Sequence, residues 1–191
     1  MKIAVLKAEN DPRIGATPET VKKLTGLGAE VAVEAGAGQR AGFEDSAYAE
    51  AGATVAAADA VLSGADAIFV TAPPEKAVLG QMARGAKLIG LLNPWESQEG
   101  LSDYATAGID AFAMELLPRI TRAQSMDVLS SQANLAGYKA VVDASALYGR
   151  ALPMMMTAAG TVSPAKVFVM GAGVAGLQAI ATARRLGGVV S

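Results

Sequence analysis

The 191 residues are 52% apolar and 18% charged, enough to build a substantial core and unlike the composition of a disordered chain. Sixteen basic against eighteen acidic side chains leave a net charge of −2, which offers no footprint for nucleic acid and no polybasic membrane anchor; aromatics, at 5%, are too sparse to stack single strands. Cysteine and histidine are both absent, which excludes disulfides, thiolate and imidazole catalysis, and every Cys- or His-ligated metal site. Chemistry in this chain therefore rests on carboxylates, Lys, Arg, Tyr, amides and hydroxyls, or on a bound cofactor, and no metal is expected.

Residues 2–6 read as a buried strand, and Lys7 and Glu9 interrupt the apolar run too early for a secretory signal. A helix is expected from Pro18, capped by Thr17, with Val21, Leu24 and Leu27 as its apolar face and Gly28 as its stop. Residues 30–34 form a second strand, and residues 43–52 a second helix that turns Tyr48 and Ala51 inward. A short helix over 56–63 precedes a core strand over 66–70, which Pro73 and Pro74 end. A strand over 87–92 is cut by Asn93-Pro94; a helix over 96–107 and a strand over 109–114 follow. Strand and helix alternate with short connections, the mark of a parallel sheet covered on both faces.

The longest helical stretch covers 127–150. Ser125 is its expected N-cap, Asp127 sits in the first turn where a carboxylate complements the helix dipole, and Pro153 ends it. Val128, Leu135 and Val142 make one stripe; Leu129, Ala136, Ala140 and Leu147 make its neighbour. So broad an apolar face suits a helix buried on more than one side between two domains. Tyr138 reads as a core or dimer contact, and Met154, Met155 and Met156 as packing at the domain junction. The domain boundary falls inside this helix, giving an N-terminal α/β domain over 1–126, a bridging helix over 127–150 and a second domain from 151 to 191.

A strand over 166–170 runs into Gly171-Ala172-Gly173-Val174-Ala175-Gly176, and a helix over about 174–186 follows. Residues 167–183 carry no charge, but seventeen helical residues reach only ~25 Å, short of the ~30 Å hydrocarbon core, and three glycines break the run. In the G-x-G-x-x-G pattern Gly171 permits the tight turn, Gly173 lets the backbone approach a pyrophosphate, and Gly176 lets helix and sheet pack closely. The alternative is a glycine-rich turn that packs a βα unit without a ligand. The acidic residue that completes this fingerprint lies ~20 positions on, at or beyond Ser191. The chain is therefore expected to be a fragment of a longer protein that binds dinucleotide weakly on its own. The fold class expected is α/β, with two Rossmann-like parallel-sheet domains, the second incomplete after its first strand–helix–strand start.

The stretch GAGVAGLQAIATARRLGGVVS, residues 171–191, resembles the NAD-binding signature shared by alanine dehydrogenase and the proton-translocating nicotinamide nucleotide transhydrogenases. Residues 114–144, MELLPRITRAQSMDVLSSQANLAGYKAVVDA, and 153–160, PMMMTAAG, are similar to the transhydrogenase alpha subunit in particular. The amino-terminal pattern, Lys7 then Arg13-Ile14-Gly15-Ala16-Thr17-Pro18, is similar to the first signature of both, with Ala8 where a glutamate is common and Gly15 where a larger residue is usual. The lysine and histidine that alanine dehydrogenases place after their third and fourth strands are missing from residues 69–74 and 91–94. Direct hydride transfer between two nicotinamide rings needs no such acid or base.

The resemblance implies NAD(H) on this chain, NADP(H) on a separate component, and proton translocation by membrane-embedded subunits. It further implies a homodimer lying peripherally on the cytoplasmic face of the plasma membrane, without inserting into it. It also implies that Arg119, Gln124, Asp127 and Ser130 hold the carboxamide and nicotinamide ribose, with Arg119, Gln124 and Asp127 serving catalysis. Gly171, Gly173, Val174, Ala175 and Gly176 are to hold the pyrophosphate. Taken singly, Arg119 and Arg122 also read as solvated charges, Asp127 as a dipole partner and Ser130 as an ordinary helix hydroxyl. An alanine-dehydrogenase-like amino-acid oxidoreductase and a non-catalytic fragment are the alternatives.

Overall fold

A computed structural model describes residues 1–96 and 98–191. Contacts divide the chain into two compact units, Met1–Pro118 and Arg119–Ser191.

The first unit is built on six parallel strands: β1 (Lys2–Val5), β2 (Glu30–Glu34), β3 (Thr54–Ala56), β4 (Ala67–Val70), β5 (Lys87–Gly90) and β6 (Asp110–Ala113). They lie in the order β3-β2-β1-β4-β5-β6, so the winding reverses between β1 and β4, the doubly wound arrangement. Five helices connect them: α1 (Pro18–Gly26), α2 (Asp45–Glu50), α3 (Ala58–Leu62), α4 (Lys76–Leu79) and α5 (Gln98–Ala107). Side chains alternate across a strand, so successive residues feed opposite faces. Ala4, Ala32, Ile68 and Leu88 join Leu62 and Tyr104 in one buried cluster. Val5, Val31 and Val33 join Val21 and Tyr48 in another. Both faces are therefore covered, which is why these strands read as continuous apolar runs. Tyr48 is wholly buried, and its hydroxyl donates to the Ala16 carbonyl at 3.1 Å.

Most expected elements lie within a residue or two of their observed ends, and Thr17 caps α1 by accepting from the Thr20 amide. Four details differ. Leu27 follows the end of α1 and is 83% exposed, so Val21 and Leu24 alone carry the helix's buried face. Residues 54–56 are the edge strand β3, paired Ala32↔Thr54, and the helix expected over 56–63 begins only at Ala58. Three residues are too few to display a period. The turn of helix α4 after Pro73 and Pro74 carries no such signal either. The start expected for α5, at 96–97, falls partly on Ser97, outside the described residues.

The second unit contains α6 (Val128–Leu147), the antiparallel hairpin β7 (Met155–Thr157) and β8 (Gly160–Val162), then β9 (Lys166–Val167), α7 (Val174–Arg185) and β10 (Val189–Val190). β9 and β10 pair in parallel around α7, making one βαβ unit. Val141 of α6 packs with Ala179 and Ala183 of α7, and Val167, Val169 and Val190 close around them.

Here the structure corrects several expectations. The N-cap of α6 is Asp127, whose carboxylate accepts from the Ser130 amide at 2.9 Å. Ser125 lies upstream, inside a 3-10 turn over Thr121–Met126. The helix ends at Leu147, where Gly149 turns the chain with φ +65°, before Pro153 is reached. Its broad apolar face is not buried within this unit: Gly137 and Val141 are buried, whereas Leu135, Tyr138 and Leu147 are exposed. Tyr138 is therefore no core residue. Met154, Met155 and Met156 are exposed as well, at the start of the hairpin. Among the described residues no helix is long and apolar enough to cross a membrane.

Candidate functional site

In the second unit β9 leads through residues 168–173 into α7. Gly171 adopts φ +101°, a conformation that a residue with a side chain adopts only under strain. Gly176 sits so close to the turn that a Cβ would stand 2.0 Å from the Gly171 carbonyl oxygen. These two glycines let the helix start directly over the strand it follows.

Gly173 differs from both. It is the N-cap of α7, its φ of −76° is ordinary, and a Cβ placed on it would meet nothing within 4 Å. Packing gives no reason for glycine there; close approach by something outside the protein does. No side chain caps this helix. The first-turn amides of Val174, Ala175 and Gly176, which have no partner inside a helix, therefore face outward at its positive end.

The cleft beside this turn has a volume of about 420 Å³. Its wall holds Gly171, Gly173, Val174, Ala175 and Gly176 together with Arg119 and Ser130, seven of the nine residues expected from the sequence to form the site. Gln124 and Asp127 are not on this wall. Gln124 is exposed in the 3-10 turn, where its carbonyl accepts the Asp127 amide at 3.2 Å. Asp127 holds Ser130 twice: one carboxylate oxygen takes the Ser130 amide at 2.9 Å, and the other takes the Ser130 hydroxyl at 2.6 Å. The hydrogen bonds from the Ser130 side chain and backbone keep the Asp127 carboxyl below the usual aspartate range, and the nearby Arg119 charge adds to the effect. Asp127 stays ionised, and the Ser130 hydroxyl directs its proton to Asp127, leaving its oxygen lone pairs toward the cleft.

Leu129, Ala133 and Met170 complete the wall. None of the three was expected from the sequence, although Leu129 and Ala133 stand four apart, one helical turn, and Ala133 stands three beyond Ser130. Among the described residues no cluster of acidic side chains is arranged to hold a metal ion.

In the first unit the positions where an amino-acid dehydrogenase would place its proton-transfer groups are Thr71 to Pro74 and Asn93. Asn93 has φ +51°, its amide donates to Glu115 Oε1 at 2.7 Å, and its side-chain nitrogen donates to Glu96. An amide held this way cannot carry a proton to or from a substrate.

A doubly wound sheet, followed by a βαβ unit whose glycine turn opens at a helix N-terminus, defines the class: an α/β protein of the dinucleotide-binding type. The chain belongs to the alanine dehydrogenase/PNT family, matching its N-terminal domain over residues 6–136 and its C-terminal domain over 140–191. It is 52% identical to the leading portion of NAD(P) transhydrogenase subunit alpha of Rhodospirillum rubrum, over 100% of this chain and 52% of that polypeptide. Identity to the NAD(P) transhydrogenase subunit alpha of Cereibacter sphaeroides is 45%, over 95% of this chain and 35% of that one. The crystal structure of transhydrogenase from Sinorhizobium meliloti superposes with a TM-score of 0.95 at 54% identity, covering 100% of this chain and 57% of that one. An L-alanine dehydrogenase structure superposes at 0.83 with 27% identity, covering 98% and 53%. The chain thus spans about half the length, or less, of the curated relatives it matches.

Proposed function

We propose that this chain supplies the NAD(H)-binding part of a proton-translocating transhydrogenase, in which hydride passes directly from NADH to NADP+ held on a separate component. Proton movement then belongs to membrane-embedded subunits, and the chain works as a homodimer at the cytoplasmic face of the membrane. The observation that carries this reading is the open space at Gly173, at the uncapped start of α7, in a cleft shared with Arg119 and Ser130.

The residues present suit a dinucleotide. The amides of Val174, Ala175 and Gly176 would receive the pyrophosphate, with Gly173 admitting it to the backbone. Arg119 offers donors in a fork, and Ser130 offers acceptor lone pairs, a pairing matched to the carboxamide and ribose of the nicotinamide end. Asp127 acts on that end through Ser130, whose hydroxyl it orients. Gln124, on the exposed turn just before α6, would reach the ring and steer it. The nicotinamide supplies the hydride chemistry when bound, and the protein has only to align it and keep water away. The absence of histidine, and the commitment of Asn93 to Glu115 and Glu96, favour this reaction over amino-acid oxidation.

Titration of the natural full-length polypeptide with NADH, followed by nicotinamide fluorescence, tests the assignment. Saturable enhancement is expected. A flat titration would overturn the reading.

A further inference from the structure

The face of α6 that meets α7 is a stripe spaced at helical period: Ser130, Asn134, Gly137 and Val141. Val141 is buried against Ala179 and Ala183. Asn134 Nδ2 donates to Gln178 Oε1 at 3.2 Å. Between them stands Gly137, buried, in the interior of a 20-residue helix, where glycine costs roughly 1 kcal/mol relative to alanine. The reason for it lies across the contact: a Cβ on Gly137 would stand 2.1 Å from the carbonyl oxygen of Ala175 and 2.9 Å from its carbon. Both are backbone atoms in the first turn of α7, so no side-chain rotation relieves the clash. Real Cβ contacts essentially never fall below 3.0 Å, and the two helices would have to separate by nearly an ångström.

Ala175 belongs to the glycine turn, and Ser130, two helical turns before Gly137, lies on the wall of the same cleft. We infer that Gly137 is a positioning residue for the dinucleotide site: its bare backbone seats α6 on Ala175 and so sets the distance between the pyrophosphate-binding turn and the Arg119–Ser130 wall. The glycine touches no ligand. It acts by bringing two groups of ligand-facing residues to one spacing, and the inference rests on the dinucleotide reading above.

A misplacement of about 1 Å remote from the reacting atoms can cost up to a hundredfold in rate. The turn itself is untouched by a wedge at Gly137, so pyrophosphate contacts persist while the nicotinamide end shifts. In the assembled full-length enzyme, Gly137→Ala is therefore expected to slow single-turnover hydride transfer from NADH to an NADP+ analogue by about 10–100-fold. NADH affinity should fall by no more than about fivefold, and the fluorescence of bound NADH should change as the ring moves. Val141→Ala is the matched control. It loosens the same helix pair by removing buried methyl groups without wedging it, and it should leave transfer near the wild-type rate below its own melting temperature.

Equal rates in folded Gly137→Ala and the wild type would overturn the inference, as would equal slowing in Gly137→Ala and Val141→Ala. Should Gly137→Ala not fold, Asn134→Ala removes the flanking hydrogen bond from an exposed position and should slow transfer about two- to threefold with affinity unchanged; a wild-type rate there overturns the inference too. Failure of the wild type itself to bind NADH would defeat the underlying reading instead, which keeps the two outcomes separate.

Discussion

The chain contains two versions of the same local device, a parallel strand followed by a helix, and they bury their strands to opposite extents. In the first unit β1 lies between β2 and β4; Ile3, Ala4 and Val5 are essentially inaccessible. In the second unit β9 pairs with β10 alone, and just after it Phe168 and Met170 are exposed at 74% and 89%. Yet the glycine turn after β9 has its full geometry, with Gly171 at positive φ and Gly176 against the Gly171 carbonyl. The contrast separates two kinds of structure. Strand burial is collective and needs neighbours on both edges and both faces. A phosphate-binding turn is local, set by a few glycines and by the helix that starts there.

That separation can be broken by mutation, beginning with the largest effect. Tyr48→Ala should destabilise the first unit by about 3–5 kcal/mol, because a wholly buried ring leaves a cavity. Tyr48→Phe should cost only about 1 kcal/mol, the bond to the Ala16 carbonyl. In the same chain Phe168→Ala should change stability by less than about 0.5 kcal/mol. Urea unfolding compares the three, and equal losses for Tyr48→Ala and Phe168→Ala would erase the difference between the units.

The next test lies within the turn. Gly173→Val should lower NADH affinity about a hundredfold, or about 2.7 kcal/mol, by filling the open side of the turn. Its melting temperature should change little, since the backbone conformation is ordinary and the space is empty. Gly176→Val should lose affinity and melting temperature together, because its side chain would meet the Gly171 carbonyl. Unchanged NADH binding in Gly173→Val would remove the case for a pyrophosphate at this helix.

Gln124→Asn should slow hydride transfer by about tenfold in the full-length enzyme while weakening NADH binding less, as expected of a residue that steers the ring. Parallel losses in both quantities would contradict that role.

The smallest effect belongs to the cap of α6. Asp127 has a folded-state pKa below its unfolded value, so its contribution to stability is complete above the ordinary aspartate range and is lost as pH falls through the folded value. Asp127→Ala should lower the melting temperature by a few degrees near neutral pH, and the gap from wild type should close on acidification. Asp127→Asn keeps a capping acceptor and should lose the pH dependence while retaining most of the stability. A gap that widens in acid would mean that the carboxylate does not act as a cap.

Much of this was legible in the sequence because short-range chemistry decides it. Thr17-Pro18 signals a helix start, Pro73-Pro74 a strand end, and Gly171-Ala172-Gly173-Val174-Ala175-Gly176 a turn between strand and helix; each is found where its residues predict. The N-cap of α6 was misplaced for an instructive reason. Ser125 and Asp127 are both good capping residues, and only the 3-10 turn over Thr121–Met126 puts Asp127 at the boundary.

The order of residues was sufficient for the alternation of strand and helix, the two-faced burial of the first sheet and the glycine turn, since each depends on backbone preferences and apolar spacing within a few residues. Packing in three dimensions was needed to leave Leu135, Tyr138 and the three methionines exposed within their unit, because hydropathy records a tendency to be covered without saying by what. Packing also makes Gly173 empty-sided where Gly176 is crowded, and lays Gly137 against Ala175. Those are distances between residues as many as 38 positions apart, and no local pattern encodes a distance.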